Sequence, residues 1–444
     1  MRVRNAIGSA VFLLVFAGHS RRARAQAVDD SSSPAPTAAA PPVTAPTSPP
    51  LGVVANGGSR GFGFVSADGA DSVVVHWLVQ ADYTTFIGDK PPGVETRDTF
   101  TMGFAGLQLD ATLARIFRAS FLTDFSQSRL TLLDAFVEAR VDPAFVVRVG
   151  KFPTPISEER LTPKFFLPWI STGPSSFLLP VRELGAQVYG DFGHGILQYN
   201  AALVNGSYAG AITDNDFDSY KDVMGRVFAH PFKTTAIAPL VKLGLGIGAS
   251  AGDRVGSPGT PQTPVLRTYG NVPFFSYKND GTPAGTVVAR GEVARIAPHL
   301  TWAWGTVAGF ADYVHEVDHF GATAVQSDAF GATLAVAVTG EDSEPFARIV
   351  VKRPIDPRRG HFGGMQLVAG GGSIATSSAA FSANLADPRL SMQRARILGG
   401  GINWYPINGV GVLVDYSHTA FDAYGNAIAR GAEDTIYGRF EMHL

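Results

Sequence analysis

The chain has 444 residues, 50 of them glycine, with no cysteine, 11% aromatic residues and only 17% charged residues. Without cysteine it cannot be a disulfide-stapled secreted scaffold, and after the leader no stretch approaches the roughly 20 apolar residues of a membrane-spanning helix. Five arginines fall among residues 1–25; without them 31 bases face 38 acids, and this negative balance argues against nucleic-acid binding, which wants a basic face.

Met1, Arg2 and Arg4 give a positive start, residues 6–16 are apolar, and Ala23-Arg24-Ala25 and Ala25-Gln26-Ala27 are small-x-small sites. That order predicts a secretory signal peptide over residues 1–27, too short to span a bilayer and removed on export. Residues 28–55 are rich in Pro, Ala, Ser and Thr and predict an extended or disordered linker, because so little apolar surface cannot offset ordering entropy. Residues 56–444 predict one domain.

That domain alternates in steps of two. Val75, Trp77, Val79, Ala81 and Tyr83 fall on one face, with His76, Gln80, Asp82 and Thr84 on the other. Phe117, Ala119 and Phe121 alternate with Arg118, Ser120 and Asp124, and Leu133, Ala135, Val137 and Ala139 with Asp134, Phe136, Glu138 and Arg140. Val241, Leu243, Leu245 and Ile247 oppose Lys242 and three glycines. Val410, Val412, Val414 and Tyr416 oppose Gly411, Asp415 and Ser417, and Ile436, Phe440, Met442 and Leu444 oppose Tyr437, Arg439, Glu441 and His443. Successive side chains of a strand point to opposite faces, so each stretch describes a sheet with one apolar and one wet side. There are more such strands than the ~7–9 of a β-sandwich. Behind an export signal they predict an all-β, transmembrane antiparallel barrel of about 16 strands in an outer membrane, wide enough for an aqueous channel.

Between residues 153 and 182 the alternation fails. Pro153, Pro155, Pro163, Pro168, Pro174 and Pro180 exclude a central strand. A long irregular segment in a compact domain is usually functional or disordered, and in a pore the functional form is an inward-folding constriction loop.

Asp134-Ala135-Phe136-Val137, then Arg148-Val149-Gly150-Lys151-Phe152 and Pro155, resemble a segment of the phosphate-selective porins O and P of Gram-negative outer membranes. Arg182 with Gly185, Asn205-Gly206, Asp214, Asp216, Lys221-Asp222, Arg226 and Pro231-Phe232 continue the resemblance in order. Thr339-Gly340-Glu341 and Asn403-Trp404-Tyr405 leading to Val414-Asp415-Tyr416 extend it toward the end. The resemblance implies a homotrimeric porin in outer-membrane lipid that passes phosphate and other small anions through an arginine- and lysine-lined constriction. The chain departs from that pattern at Thr101-Met102-Gly103-Phe104, where the family often carries an Arg-Arg pair, and at Ala369-Gly370-Gly371, where it often has Ala-Arg-Tyr. It also ends in Leu444 where a terminal Phe is common. A general, weakly selective porin is therefore the second reading. A non-conducting structural barrel or an outer-membrane enzyme is the third.

Transport needs no catalytic group and no cofactor, only a shaped field: Arg and Lys draw anions into a narrow pore, arginine by its bidentate fork and lysine as a point charge. By strand phase the candidate pore-lining bases are Arg118, Arg140, Arg148, Lys242, Arg348, Lys352, Arg396 and Arg439; on the proline-rich segment they are Lys151, Arg160, Lys164 and Arg182. The resemblance adds Arg226. Each can instead staple the wall through a neighbouring carboxylate, with Asp124, Asp134, Glu138 and Glu441 as partners. Lys242 has no acid on its own strand.

His315-Glu316-Val317-Asp318-His319 matches the H-E-x-x-H zinc motif, which requires a helix. Its surroundings are strand-like, and on a strand the two histidines stand roughly 13 Å apart, at ~3.3 Å per residue, so no metal site is predicted. Gly244-Leu245-Gly246-Ile247-Gly248 lacks the following helix and Lys-Ser/Thr of a phosphate loop. No G-x-S-x-G elbow occurs. The chain is not expected to be an enzyme.

Overall fold

In the computed structural model, described for residues 51–55, 61–88, 96–126, 129–212, 214–427 and 429–444, sixteen strands close into an antiparallel barrel. The barrel strands are β3 (Ser72–Ile87), β4 (Thr99–Leu113), β5 (Phe117–Asp124), β6 (Thr131–Asp142), β7 (Phe145–Pro153), β8 (Arg182–Phe192), β9 (Leu197–Val204), β10 (Asp222–Ala229), β11 (Gly244–Val255), β14 (Arg290–Trp304), β15 (Val307–Phe320), β16 (Thr323–Ala337), β17 (Gly364–Thr376), β18 (Arg394–Ile407), β19 (Val410–Asp422) and β20 (Glu433–His443). Each pairs with its neighbour in sequence, and β20 closes on β3 with Gly438 opposite Tyr83. Two short strands, β1 (Leu51–Ala55) and β2 (Phe62–Ser66), add to the start of β3. Residues 51–55, assigned by composition to the linker, are thus strand. The predicted leader and the rest of the predicted linker up to residue 50 lie outside the described residues.

We call the end where β3 begins and β20 finishes the lower rim. The expected phase holds along much of the wall. Gln80, Asp82 and Thr84 are buried on the inner side of β3, while Val79 and Tyr83 are exposed on the outer side. Phe100, Leu107, Phe121, Val137, Leu245, Ile247, Leu300, Leu334, Ile402 and Phe440 continue this exposed apolar outer surface around the barrel. Closure leaves no unpaired edge among these sixteen strands, the condition for a sheet to stand in hydrocarbon. Four of the five tryptophans occur near the lower rim (Trp77, Trp302, Trp304 and Trp404), and the fifth, Trp169, is inside.

Two segments fill the interior. One is the proline-rich connection between β7 and β8. The other, between β11 and β14, carries a separate hairpin of β12 (Val265–Arg267) and β13 (Pro273–Ser276). Phe274, Phe275 and Tyr277 of this hairpin pack on Val314, Phe320, Val325, Ala329, Ile374, Ala395 and Phe421 of the upper wall, and on Phe381 of a short helical turn, forming the main apolar core. The proline-rich stretch is therefore not the longest irregular one. The Pro and Gly residues at 256, 258, 259, 261, 264, 273, 281 and 283 were the signal for the second.

This filling inverts the phase rule near the upper rim. There the inward residues are apolar because they meet the hairpin, and the outward ones are polar. Arg396, predicted to face the lumen, shares its phase with the exposed Leu398 while Ala395 and Ile397 point inward; it pairs with Asp422 on the outside.

Candidate pore constriction

The proline-rich segment enters the barrel because Pro153 ends β7 and prolines at 155, 163, 168, 174 and 180 deny the backbone donors a ladder needs. It forms one helical turn, α1 (Glu158–Leu161), capped by the Ser157 hydroxyl, which accepts from the Arg160 N–H at 3.2 Å. Glu159 clasps the loop on itself, accepting from the Gly173 N–H and the Ser176 hydroxyl, both at 2.6 Å. The Arg160 guanidinium donates to the carbonyls of Ser176 and, at 3.2 Å, Leu179. Backbone acceptors leave Arg160 poorly compensated, and burial with Arg182 nearby pushes it down to about 10 against the pull of Glu159 and Asp312.

The loop then crosses to the opposite wall and is pinned there. Trp169 Nε1 donates to Thr333 Oγ1 at 2.8 Å, the Ile170 N–H to Asp415 at 2.7 Å, and the Ser175 hydroxyl to Asp312 at 2.6 Å. Asn403 Nδ2 donates to the Pro168 carbonyl at 2.9 Å and Arg295 to the Leu178 carbonyl at 3.0 Å. Glycines on the wall make room. A Cβ at Gly248 would stand 1.9 Å from the Ile156 carbonyl oxygen, and one at Gly399 would stand 3.4 Å from the Trp169 ring. Of the Gly244-to-Gly248 run, Gly248 thus seats the loop, while Gly244 and Gly246 make room for the wall side chains Phe228 and His299.

The candidate bases divide into three groups. Near the lower rim Arg118, Arg140 and Arg148 share two carboxylates. Glu138 accepts from Arg140 at 2.6 Å, from Arg148 at 2.8 Å and from the Tyr189 hydroxyl at 2.7 Å. Arg118 sits 2.9 Å from Asp110 and 3.9 Å from Glu138. Arg148 also lies over the rings of Phe136 and Tyr189 at 4.1 and 4.8 Å. Three guanidiniums against two carboxylates leave one positive charge in excess.

The second group is at the loop. Arg182 pairs with Asp134 at 2.8 Å, and Arg439 grips Asp82 through two hydrogen bonds of 2.7 Å. Arg226 joins the wall to α1 through Glu158, donates to His299 at 3.0 Å and stacks over Phe228 at 4.5 Å. Lys164 differs from all of these. It is solvent-exposed and, among the described residues, has no hydrogen-bond or ion-pair partner. Although its surface is open to the lumen, the barrel wall and the loop surround it, and this enclosure, then the nearby charges of Arg160, Arg439 and Arg182, push its ammonium down to about 8, with Glu159 opposing. Lys164 is thus an open, unpaired lysine with three guanidiniums nearby.

The third group lies elsewhere than predicted. Lys151 is on β7, not on the loop, in the phase of the outward Val149, and is buried against the Leu132 carbonyl and Asp214. Lys242 precedes β11 and pairs across the lower rim with Glu344, an acid distant in sequence. Arg348 and Lys352 belong to the connection between β16 and β17 rather than to a strand. Arg348 reaches inward to Glu441, to the Tyr405 hydroxyl at 2.6 Å and to the Leu167 carbonyl at 3.4 Å, so it props the constriction loop from below. Lys352 stays outside, bonded to the Gly340 carbonyl at 2.8 Å. Of the anticipated acids, Asp134, Glu138 and Glu441 hold arginines, whereas Asp124 accepts from the Ala105 and Ser126 N–H groups. The anchoring role of Thr333, Asp312, Asn403 and Asp415 was missed; Thr333 and Asp312 leave only an inward phase in the sequence, and Asn403 and Asp415 stand out only within the family resemblance.

The histidine motif is on β15. His315 and His319 share the outward face, bonded at 2.8 Å to Asp328 and to the Glu292 carbonyl, while Glu316 points inward to Arg295 at 2.6 Å.

No family model matches the chain, and no curated protein does. Among solved structures it is similar to the outer membrane channel DcaP of Acinetobacter baumannii, with 12% identity, a TM-score of 0.54, and coverage of 86% of this chain and 100% of that one. It is also similar to an anion-selective porin from Comamonas acidovorans, at 10% identity, TM-score 0.52, and coverage of 84% and 100%. A third is the outer membrane protein OmpT of Vibrio cholerae in a trimer form, at 9% identity, TM-score 0.53, and coverage of 84% and 100%. At these identities the likeness establishes the fold alone: a closed, 16-stranded antiparallel barrel.

Proposed function

We propose that the chain is a passive diffusion channel of a Gram-negative outer membrane that prefers small anions, phosphate among them. The carrying observation is Lys164, an exposed, unpaired cation on the inward-folded loop with Arg160, Arg182 and Arg439 around it. An anion crossing the lumen exchanges hydration for these donors, while a cation meets carboxylates such as Asp82, Asp134 and Glu138 that are already bound to arginine. The lower cluster of Arg118, Arg140 and Arg148 supplies a second positive step along the same path. Phosphate suits both steps: it meets a point charge at Lys164 and, at the lower cluster, guanidinium forks that can bind it bidentately. Export by a cleaved leader and assembly as a homotrimer belong to the same reading; the trimer form of one structural neighbour supports the assembly.

Reversal potentials in planar bilayers under a potassium chloride gradient test this. The expected sign is that of chloride preference, with inorganic phosphate reducing the chloride current. Chloride preference without phosphate block favours a general anion pore. Equal permeabilities favour the weakly selective reading, which has its own support: Asp82, Asp134 and Glu138 neutralise most of the arginines.

A further inference from the structure

The lower rim has one connection out of proportion to the rest. Several of its turns are two to four residues long (residues 143–144, 193–196, 305–306 and 408–409), but β16 and β17 are joined by residues 338–363. Part of this segment turns inward, where Ile349 and Val351 pack on Ala337 and Tyr405. The remainder, residues 352–362, does the opposite. Phe362 is 72% exposed, and Ile355 is exposed as well. Around these apolar side chains stand Lys352, Arg353, Arg358 and Arg359, all exposed, against the single acid Asp356.

The backbone of this strip is fixed. The Ile355 N–H donates to the Pro406 carbonyl at 2.8 Å and, just before the strip, the Val351 N–H to Asn408 at 2.9 Å. Asp356 caps the turn at Arg358, and Asp356 and His361 form a bridge. Trp404, on the outer face of β18, donates its ring N–H to the Phe362 carbonyl at 2.6 Å. The strip is therefore tied to the same rim that carries Trp77, Trp302 and Trp304. Tryptophans gather where a barrel wall passes from hydrocarbon to headgroups, so the strip runs at that level. Among the described residues the Arg353 and Arg358 side chains have no partner. Arg359 has only Asp356 at 3.4 Å.

We propose that residues 352–362 dock on anionic phospholipid headgroups, with Ile355 and Phe362 at the hydrocarbon boundary and Arg353, Arg358 and Arg359 on the phosphates. The chemistry is that of a juxtamembrane basic segment with interleaved apolar anchors. A soluble anionic partner would account for the cations but not for the exposed Ile355 and Phe362 on the rim that carries the tryptophans. The proposal rests on the reading of the barrel as a membrane protein, though not on its selectivity.

The test uses the full chain inserted into vesicles of phosphatidylcholine mixed with phosphatidylglycerol, then extracted in mild detergent for mass spectrometry of retained lipid. Retention of phosphatidylglycerol over phosphatidylcholine is expected. The triple variant Arg353→Ser, Arg358→Ser, Arg359→Ser should lower that ratio roughly tenfold, and the triple Arg→Lys variant should keep it, with conductance unchanged in both. Insertion with no lipid preference, or a serine variant that retains phosphatidylglycerol like the parent, overturns the proposal. So does loss of the preference when a soluble peptidoglycan fragment takes the strip instead. Failure of the chain to float with vesicles at all counts against the membrane reading rather than against the strip.

Discussion

At the residue scale, selectivity comes down to which charges are free. Lys164 is open to the lumen, while Arg182 and Arg439 are each committed to a carboxylate. A lysine is charged below its pKa, and this one is held near 8 rather than near the ordinary 10.4. Its charge is therefore complete in mildly acid solution and is lost as pH rises through about 8. The anion-to-cation permeability ratio should fall between about pH 7 and pH 9, and Lys164→Met should flatten that fall. A midpoint near the ordinary lysine value would assign the effect to another group. Sequence spacing could place Lys164 on an inward loop but could not set it apart from Arg160. The distinction is that Arg160 turns back to its own loop carbonyls, a tertiary fact.

At the element scale, the loop stays across the lumen because Trp169, Ile170, Ser175 and Pro168 each find a partner on the far wall. Trp169→Ala removes a buried ring and leaves Thr333 unpaired; a truncation of this kind costs about 3–5 kcal/mol. With the barrel intact, the loop should loosen. Single-channel recordings should show larger and noisier conductance; an unchanged trace would mean that Trp169 does not hold the loop. Gly248→Val tests the same contact from the wall, since its Cβ would press on the Ile156 carbonyl. It should displace α1 and raise conductance by about twofold or more while heat-resistant barrel mobility on gels is kept. Loss of the folded band would show instead that the glycine serves the barrel itself. The prolines made this loop legible. The β12–β13 hairpin escaped notice because Phe274, Phe275 and Tyr277 look like ordinary strand residues until the lumen they fill is known.

At the scale of the whole molecule, the barrel follows from period-two alternation, and β3, β6, β11, β19 and β20 have the faces their residues imply. The reading of polar as inward fails where the interior is packed. On β18 the inward Ala395 and Ile397 meet the apolar core, and Arg396 is left outside. It fails again where turns were taken for strands, as at Lys242, Arg348 and Lys352. The surviving inward bases cluster along β5 to β8, on β10 and β20, and on the constriction loop, so the proposed anion path runs beside the plugged half of the barrel. The most direct measurement is the reversal potential of the purified channel, in parallel with Lys164→Glu, under a potassium chloride gradient. Anion preference is expected in the parent, with a reversal toward cations in the variant at unchanged barrel structure. Identical potentials in the two proteins would contradict the role of Lys164 in selectivity.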